Sequence, residues 1–521
     1  MSHPPSLDPL SAAAVFEAIL TAPVYDVAVE TPLEPARLLS AALGNRVWFK
    51  REDLQPVFSF KLRGAYTMMA KLDSAALARG VVAASAGNHA QGVALAAGKL
   101  GCRAVIVMPV ATPAIKVEAV RRLGGEVRLH GDAFDDAAAY ARLVAEQEGL
   151  TPIPPYDHPD VIAGQGTVGM ELLRQRPLGL DAVFVPVGGG GLIAGVVTCL
   201  KRLRPGIKVI GVEPADSDCL ARSLEAGRPV RLDYAGSFAD GVAVRQVGDL
   251  PFRLCRDTVD EVVRVSTDEI CAAIKDVFAE NRTVLEPSGA LSVAGLRRWA
   301  AGRSGLDLAA ILSGANLNFD RLRFVAERAG SGEHREALFA VTIPERPGSF
   351  RAFCELIGSR PITEFNYRYS DPRLARIFVG IQVADRGETE ALMALFQAHG
   401  LGAVDLSDNE MAKLHLRHLA WGFTPDPELE RVYRFEFPER PGALLRFLTR
   451  MSVGWNITLF HYRNYGADLG RVLAGMEVPR AEETAWNTFL EELGYPWTDE
   501  QDNPAYRFLL ARPGPEPAAA R

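Results

Sequence analysis

Ala182-Val183-Phe184-Val185-Pro186-Val187-Gly188-Gly189-Gly190-Gly191-Leu192 carries an uninterrupted apolar segment straight into four glycines. A strand that is apolar at every position, not at alternate ones, is buried on both faces, as in a parallel sheet covered by helices. The residues after it, Leu192 to Arg202, have helical composition. Four glycines free the backbone to present successive N–H groups, and the helix behind them adds the positive end of its dipole. A tight strand–helix turn needs one or two glycines, so the run reads as an anion cradle suited to phosphate. It lacks the lysine and Ser/Thr of a P-loop and the spacing of a dinucleotide fingerprint, which argues against ATP and NAD.

Working outward, the same alternation repeats. Val81–Ala84, Ala104–Met108, Glu126–Leu129, Lys208–Val212 and Leu308–Leu312 read as strands. Between and around them, Val93–Leu100, Pro113–Leu123, Ala133–Glu148, Ile270–Glu280 and Gly289–Trp299 read as helices. Strand and helix in turn argue an α/β fold with mostly parallel sheets. Two loops at strand ends carry polar groups: Ser85-Ala86-Gly87-Asn88-His89 and Ser313-Gly314-Ala315-Asn316. In open α/β sheets ligands bind at the carboxyl ends of strands, so both loops are candidate site elements, although either could serve as a helix cap or a turn.

Upstream lies Val57-Phe58-Ser59-Phe60-Lys61-Leu62-Arg63-Gly64-Ala65. Apolar flanks disfavour the ammonium form of Lys61 and leave a nucleophilic amine, a candidate for Schiff-base chemistry. Most lysines with such neighbours simply snorkel to water. A lysine, a phosphate cradle and a carboxylate-binding loop on one α/β sheet together point to pyridoxal 5′-phosphate.

Composition excludes other classes. With 521 residues, several domains are expected. A net charge of −7 offers no general basic field for nucleic acid. Six cysteines without a C-x-x-C pair argue against a disulfide framework or a zinc site and suit a reducing compartment. Met1–Leu10 does not read as a secretory signal, and no long uncharged apolar run suggests a membrane span.

Beyond residue 335 the strands alternate, as in Leu338–Ile343 and Ala375–Val383. A repeat appears. Ile343-Pro344-Glu345-Arg346-Pro347-Gly348 is echoed by Phe437-Pro438-Glu439-Arg440-Pro441-Gly442, and Phe365-Asn366-Tyr367-Arg368 by Phe460-His461-Tyr462-Arg463. These are expected to be two β-α-β-β-α-β modules of the ferredoxin-like kind. Gly330-Ser331-Gly332 reads as the linker before them.

The motifs SFKLRGA, SAGNHAQG, PYDHPDVIAGQGT, GGGGLIAG, GVEPADS, EPSGA and LSGAN stand in the order of the fold-type II pyridoxal-phosphate enzymes. In combination they resemble the serine/threonine dehydratase branch, and the C-terminal pair resembles the tandem ACT-like regulatory half of biosynthetic threonine deaminases. The resemblance spans about residues 25–510. It implies a catalytic domain at 1–330 and ACT-like domains at 337–409 and 431–503. It implies that Lys61 carries the cofactor, with Phe60 near the ring, Asn88 at the 3′-oxygen, Gly188, Gly189, Gly190, Gly191 and Leu192 on the phosphate, and Ser313 at the pyridine nitrogen. Ser85, Gly87, Asn88 and His89 would then hold the substrate. One departure is informative. Relatives with a divalent-cation site place an acid six residues after the glutamate of GVEP, whereas here Cys219 follows Glu213 at that spacing, so no Mg²⁺ or Ca²⁺ is expected there.

The implied activity is deamination of L-threonine to 2-oxobutanoate and ammonia, feedback-inhibited by isoleucine, with valine as a second candidate effector. Lys61 is the base, and Ser313, a neutral partner for the ring nitrogen, favours elimination over racemisation. Tyr367, Arg368, Tyr462 and Arg463 are the candidate effector residues. A cytoplasmic homotetramer is expected, without nucleic-acid or membrane partners. The competing readings are a catabolic serine/threonine dehydratase, another enzyme of this fold such as threonine synthase or serine racemase, and a non-catalytic amino-acid sensor. An intact Lys61 argues against the sensor, and the tandem repeat argues against a short catabolic enzyme.

Overall fold

The structure, a computed structural model, describes residues 10–177, 179–332, 335–344, 349–358, 360–367, 373–416, 428–438, 446–447, 450–451, 455–463 and 469–510. The chain divides into two compact units, Met1–Ala329 and Gly330–Arg521.

The first unit holds two sheets. In the larger, strands run in the order Leu33–Pro35, Arg46–Lys50, Asp307–Ile311, Ala182–Pro186, Lys208–Pro214, Glu261–Val265, all parallel except the first pair. In the smaller the order is Glu126–Leu129, Ala104–Met108, Val81–Ala84, Thr151–Pro152, all parallel. The central strands are buried at almost every position, which is why they read as unbroken apolar runs. Each sheet keeps its own apolar core: Val183, Val185, Ile193 and Ile311 in the larger lobe, and Ile106, Met108, Val93 and Val120 in the smaller.

The helix that carries Lys61 begins at that residue and runs to Met69. The helix expected from Val93 begins at Asn88. The segment expected as a linker belongs to the helix Arg321–Gly332, because two glycines at a helix end weaken it without breaking it.

What fixes the Lys61 helix is buried charge. Lys50, Glu52, Arg63 and Glu171 all have fully buried side chains. The Arg63 guanidinium meets Glu52 at 2.8 Å and Glu171 at 2.7 Å, and Lys50 meets Glu171 at 2.6 Å. Thr31, Thr167 and Gln55 take up further hydrogen-bonding positions. Two positive and two negative groups therefore balance away from water. A few residues on, the helix Lys61–Met69 touches the helix Pro159–Gln175 backbone to backbone: a Cβ on Gly164 would lie 2.5 Å from the Arg63 carbonyl oxygen.

The second unit contains two four-stranded antiparallel sheets. Their orders are Ile362–Tyr367, Leu374–Gln382, Glu336–Pro344, Gly402–Asp405 and Asn456–Arg463, Leu469–Glu477, Glu430–Pro438, Trp497–Asp499. The first module also carries the helices Ser349–Ile357 and Arg386–Ala398, giving the expected β-α-β-β-α-β order. In the second module Glu483–Leu493 is the later helix. Residues from both modules share one core, including Leu338, Phe378, Met411, Val432, Leu473 and Tyr506. Among the described residues no helix is long and apolar enough to cross a membrane.

Removing the Arg63 charge leaves Glu52 and Glu171 buried with one cation fewer. Arg63→Met is expected to destabilise the first unit by about 3–5 kcal/mol. Arg46→Met breaks a pair whose arginine side chain is 58% exposed, and is expected to cost far less. Urea unfolding followed by circular dichroism compares the two, and equal losses would show that the buried cluster does not hold the helix.

Candidate active site

The cleft lies in the first unit, where Gly188 follows the strand Ala182–Pro186, Ser313 follows Asp307–Ile311 and Ser85–Asn88 follow Val81–Ala84. It is lined among others by Phe60, Lys61, Asn88, Gly188–Leu192, Glu286 and Ser313. The family motifs already group Phe60, Lys61, Asn88, Gly188–Leu192 and Ser313 at one cofactor site, and the structure adds Glu286 to them.

The loop before Lys61 is stitched to the loop carrying Ser313. The Phe60 N–H donates to the Ser313 carbonyl at 3.3 Å and the Ala315 N–H to the Phe58 carbonyl at 2.9 Å, with a bridge between Ser59 and Gly314. Phe58 holds φ at 55°, a left-handed conformation uncommon for an aromatic residue, in the turn that delivers Lys61. The Lys61 Nζ donates to the Pro155 carbonyl at 3.1 Å and lies 5.3 Å from the centre of the Phe60 ring. Burial lowers its pKa from 10.5 to about 8, with the charge of Glu286 pulling the other way. Roughly one amine in ten is then neutral at pH 7, against fewer than about one in a thousand for an ordinary lysine.

The glycine run forms the floor. Gly190 has φ 90°, and a Cβ there would lie 2.8 Å from Pro251 Cβ; a Cβ on Gly189 would run into the Tyr156 ring at 2.2 Å. Side chains are thus excluded on the protein side. Among the described residues the N–H groups of Gly188, Gly189, Gly190, Gly191 and Leu192 find no acceptor in the chain. Five unanswered amides at the start of the helix Gly191–Leu203 fit a phosphate group. With Lys61 beside them, the donor set fits pyridoxal phosphate.

Asn88 is the first residue of its helix, not the cap, so its side chain is free for other work. Its Nδ2 donates to Glu286 Oε1 at 2.5 Å, and its Oδ1 accepts from Asn316 Nδ2 at 2.6 Å. The Ser313 hydroxyl donates to the Ser288 carbonyl at 3.2 Å. Ser85 Oγ accepts from the Gly87 N–H at 3.2 Å, and a Cβ on Gly87 would meet nothing within 4 Å, so this loop faces open space. His89 differs from its neighbours. It is buried, its ring Nε2 lies 2.9 Å from the Ile153 carbonyl, and burial with the charge of Lys61 lowers its pKa to about 3. It is a neutral ring and supplies no positive charge to a substrate carboxylate.

Glu213 directs its two carboxylate oxygens to the N–H groups of Leu220 and Ala221 at 2.8 and 2.9 Å, at the start of the helix Cys219–Ala226. Burial raises its pKa to about 8. Cys219 Sγ stands 3.8 Å from Glu213 Oε1. Arg368 and the side chains of Tyr367, Tyr462 and Arg463 lie outside the described residues, although the backbones of these last three pair in the strands Ile362–Tyr367 and Asn456–Arg463. Sequence reasoning gave no role to Glu286, Tyr156 or Asn316. All three stand in quoted motifs, but the contacts that matter reach far along the chain, 198 residues between Asn88 and Glu286.

Residues 24–314 match the family described as pyridoxal-phosphate dependent enzyme, and residues 327–416 and 425–510 match the C-terminal regulatory domain of threonine dehydratase. The chain is 57% identical to the biosynthetic L-threonine dehydratase of Burkholderia multivorans, over 95% of this chain and 98% of that one. It is 55% identical to the Escherichia coli biosynthetic L-threonine dehydratase, over 96% and 97%. The solved structure of the processed form of threonine deaminase isoform 2 from Solanum lycopersicum superposes with a TM-score of 0.61 at 50% identity, covering 63% of this chain and 91% of that one.

Gly190→Ala is expected to displace the free amides, because the added Cβ both strains the backbone and meets Pro251. Cofactor affinity should fall by about tenfold or more, the scale of one or two lost charge-assisted hydrogen bonds. Equilibrium dialysis against pyridoxal phosphate measures it, and undiminished affinity would show that the phosphate is held elsewhere.

Proposed function

This chain belongs to the pyridoxal-phosphate-dependent enzymes that carry the threonine dehydratase regulatory domain, and from that membership we propose that it deaminates L-threonine to 2-oxobutanoate and ammonia under feedback control by isoleucine. The observation that carries the chemistry is the desolvated Lys61 amine in one cleft with five unanswered backbone amides.

Bound pyridoxal phosphate supplies an electron sink for the bond broken at the substrate's Cα. The residues of the chain do the rest. The N–H groups of Gly188–Leu192 would hold the phosphate end, and Asn88 and Ser313 would hold the ring edge. The Asn88 amide is oriented by Glu286 and Asn316. Ser313 offers a hydroxyl, not a carboxylate, so it supplies no negative charge to hold a proton on a ring nitrogen. Ser85, Gly87 and Asn88 sit at a helix N-terminus open to the cleft and can take the substrate carboxylate. His89 supports that loop as a neutral ring. As a free amine, Lys61 would take the proton from the substrate's Cα, its lowered pKa suiting a base near neutral pH.

The tandem modules support effector binding, and isoleucine is the effector proposed, with valine a second. In each module the element Phe-Asn/His-Tyr-Arg offers an aromatic and polar groups. Inhibition requires isoleucine to bind a low-activity state better than the active one, typically by about 1–3 kcal/mol. A cytoplasmic homotetramer completes the proposal, in keeping with six free cysteines.

Lys61→Ala is expected to abolish turnover of threonine and the covalent attachment of cofactor while leaving the far-ultraviolet spectrum unchanged. Normal turnover in that variant would end the assignment of Lys61. Tyr367→Ala and Tyr462→Ala are expected to weaken isoleucine inhibition, read by initial rates and titration calorimetry, with uninhibited rates nearly unchanged. Undiminished inhibition in both variants would remove this surface as the effector site.

A further inference from the structure

Glu286 immediately precedes the helix Pro287–Ala300, yet its carboxyl caps none of that helix's amides. It is buried and turned into the cleft, on the same wall as Lys61, Asn88 and Ser313. Its Oε1 accepts from Asn88 Nδ2 at 2.5 Å and from Ser288 Oγ at 3.0 Å. Gly314 makes room for it, since a Cβ there would lie 2.4 Å from the same oxygen.

The consequence for Asn88 is one orientation. Asn316 Nδ2 donates both to Asn88 Oδ1 and to the Val57 carbonyl, at 2.6 and 2.9 Å. Turning the Asn88 amide over would set oxygen against the Glu286 oxygen and NH₂ against NH₂. The consequence for Lys61 is charge. On its far side Glu286 borders a smaller cavity lined by Lys116, Asp240, Asn316 and Arg321. There Lys116 Nζ meets Asp240 Oδ2 at 2.6 Å and Arg321 Nη1 lies 3.5 Å from Asp240 Oδ1. Glu286 thus stands between the pair Lys116–Asp240 and the amine of Lys61. Burial and the charge of Asp240 raise its pKa to about 7, while Asn88, Ser288 and Lys116 act the other way. In turn, ionised Glu286 favours the charged form of Lys61. The amine of Lys61 therefore responds to whether Glu286 is charged.

We propose that Glu286 is a positioning residue for the dehydration: it holds Asn88 in the orientation that faces the cofactor, and it supplies the negative charge against which the nitrogen of Lys61 ionises. The proposal rests on the reading of the cleft as a pyridoxal-phosphate site.

Two variants separate the roles. Glu286→Gln keeps the volume and an oxygen for Asn88 but deletes the charge. Glu286→Asp keeps the charge on a side chain one methylene shorter. Each holoenzyme is titrated through neutral and alkaline pH without substrate, following the visible absorption of lysine-bound cofactor. Loss of a nearby negative charge makes a cationic nitrogen release its proton more readily. The midpoint should therefore fall by about one pH unit in Glu286→Gln, an approximately tenfold change in the ionisation constant. Glu286→Asp should bring it back toward the wild-type value. An unchanged midpoint in a cofactor-loaded Glu286→Gln enzyme would overturn the proposal. If Glu286→Gln fails to retain cofactor, Glu286→Met, which also deletes the charge, decides: a lowered midpoint supports the proposal and an unchanged one overturns it. Absence of any lysine-bound cofactor band in the wild-type protein would instead overturn the cofactor reading beneath it.

Discussion

Arg63 lies two residues after Lys61 and has no access to water. Its guanidinium reaches Glu52, in the turn after the strand Arg46–Lys50, and Glu171, on the helix Pro159–Gln175. Burying two cations and two carboxylates sacrifices hydration, and such clusters contribute little net stability compared with well-packed apolar groups. Their effect is geometric. A planar donor fork satisfied by two carboxylates from different elements permits one placement of the helix that carries it. Lys61 opens that helix, so its amine inherits the placement. A reactive lysine needs burial to lower its pKa and a fixed position to reach its substrate, and the neighbouring arginine serves the second need without entering the cleft.

The parallel strands were legible because burial on both faces leaves a plain record. Ala104–Met108 and Ala182–Pro186 are apolar throughout and buried throughout. The glycine run was legible for a related reason, since four consecutive residues without side chains have little other use beside a helix. Helix starts were harder. Lys-Leu-Arg-Gly carries no capping signal, and Phe60 makes no side-chain cap, so the helix at Lys61 is set by tertiary contacts that the local sequence does not contain. Asn88 has the chemistry of a cap yet follows one, and its amide is spent on Glu286 and Asn316. Glu286 itself could not be read as a site residue, because a glutamate before Pro287 looks like an ordinary helix entrance until Asn88, Lys61 and Asp240 are placed around it.

In the second unit the repeat predicted the modules, since each copy had to supply one sheet with its own helices. The way they share a core was not predicted. Leu338 and Val432, on the first strand of each module, meet in one apolar cluster with Met411 and Tyr506, from the segments that follow each final strand. A polar contact interrupts the correspondence. His415 and His461 place their Nδ1 atoms 2.8 Å apart, whereas the position that the repeat equates with His461 is Asn366, which donates to Glu364. The two copies are alike in backbone and different in the groups they enclose, which a motif comparison of the Pro-Gly turns does not reveal.

The strand Asp307–Ile311 lies between Arg46–Lys50 and Ala182–Pro186 in the larger sheet, and Arg46 meets Asp307 across 261 positions of chain. During synthesis the early strand therefore waits for a neighbour that leaves the ribosome much later. The smaller lobe has no such wait, because its four strands fall within residues 81–152. Distant parallel pairing is slow, and the unpaired edge is open to other chains in the meantime. The loop of Lys61 is tied to Ser313 and Ala315, just beyond that late strand. A growing polypeptide thus carries the reactive amine long before it carries the wall that encloses it, and assembly of the cleft marks the completion of the larger lobe.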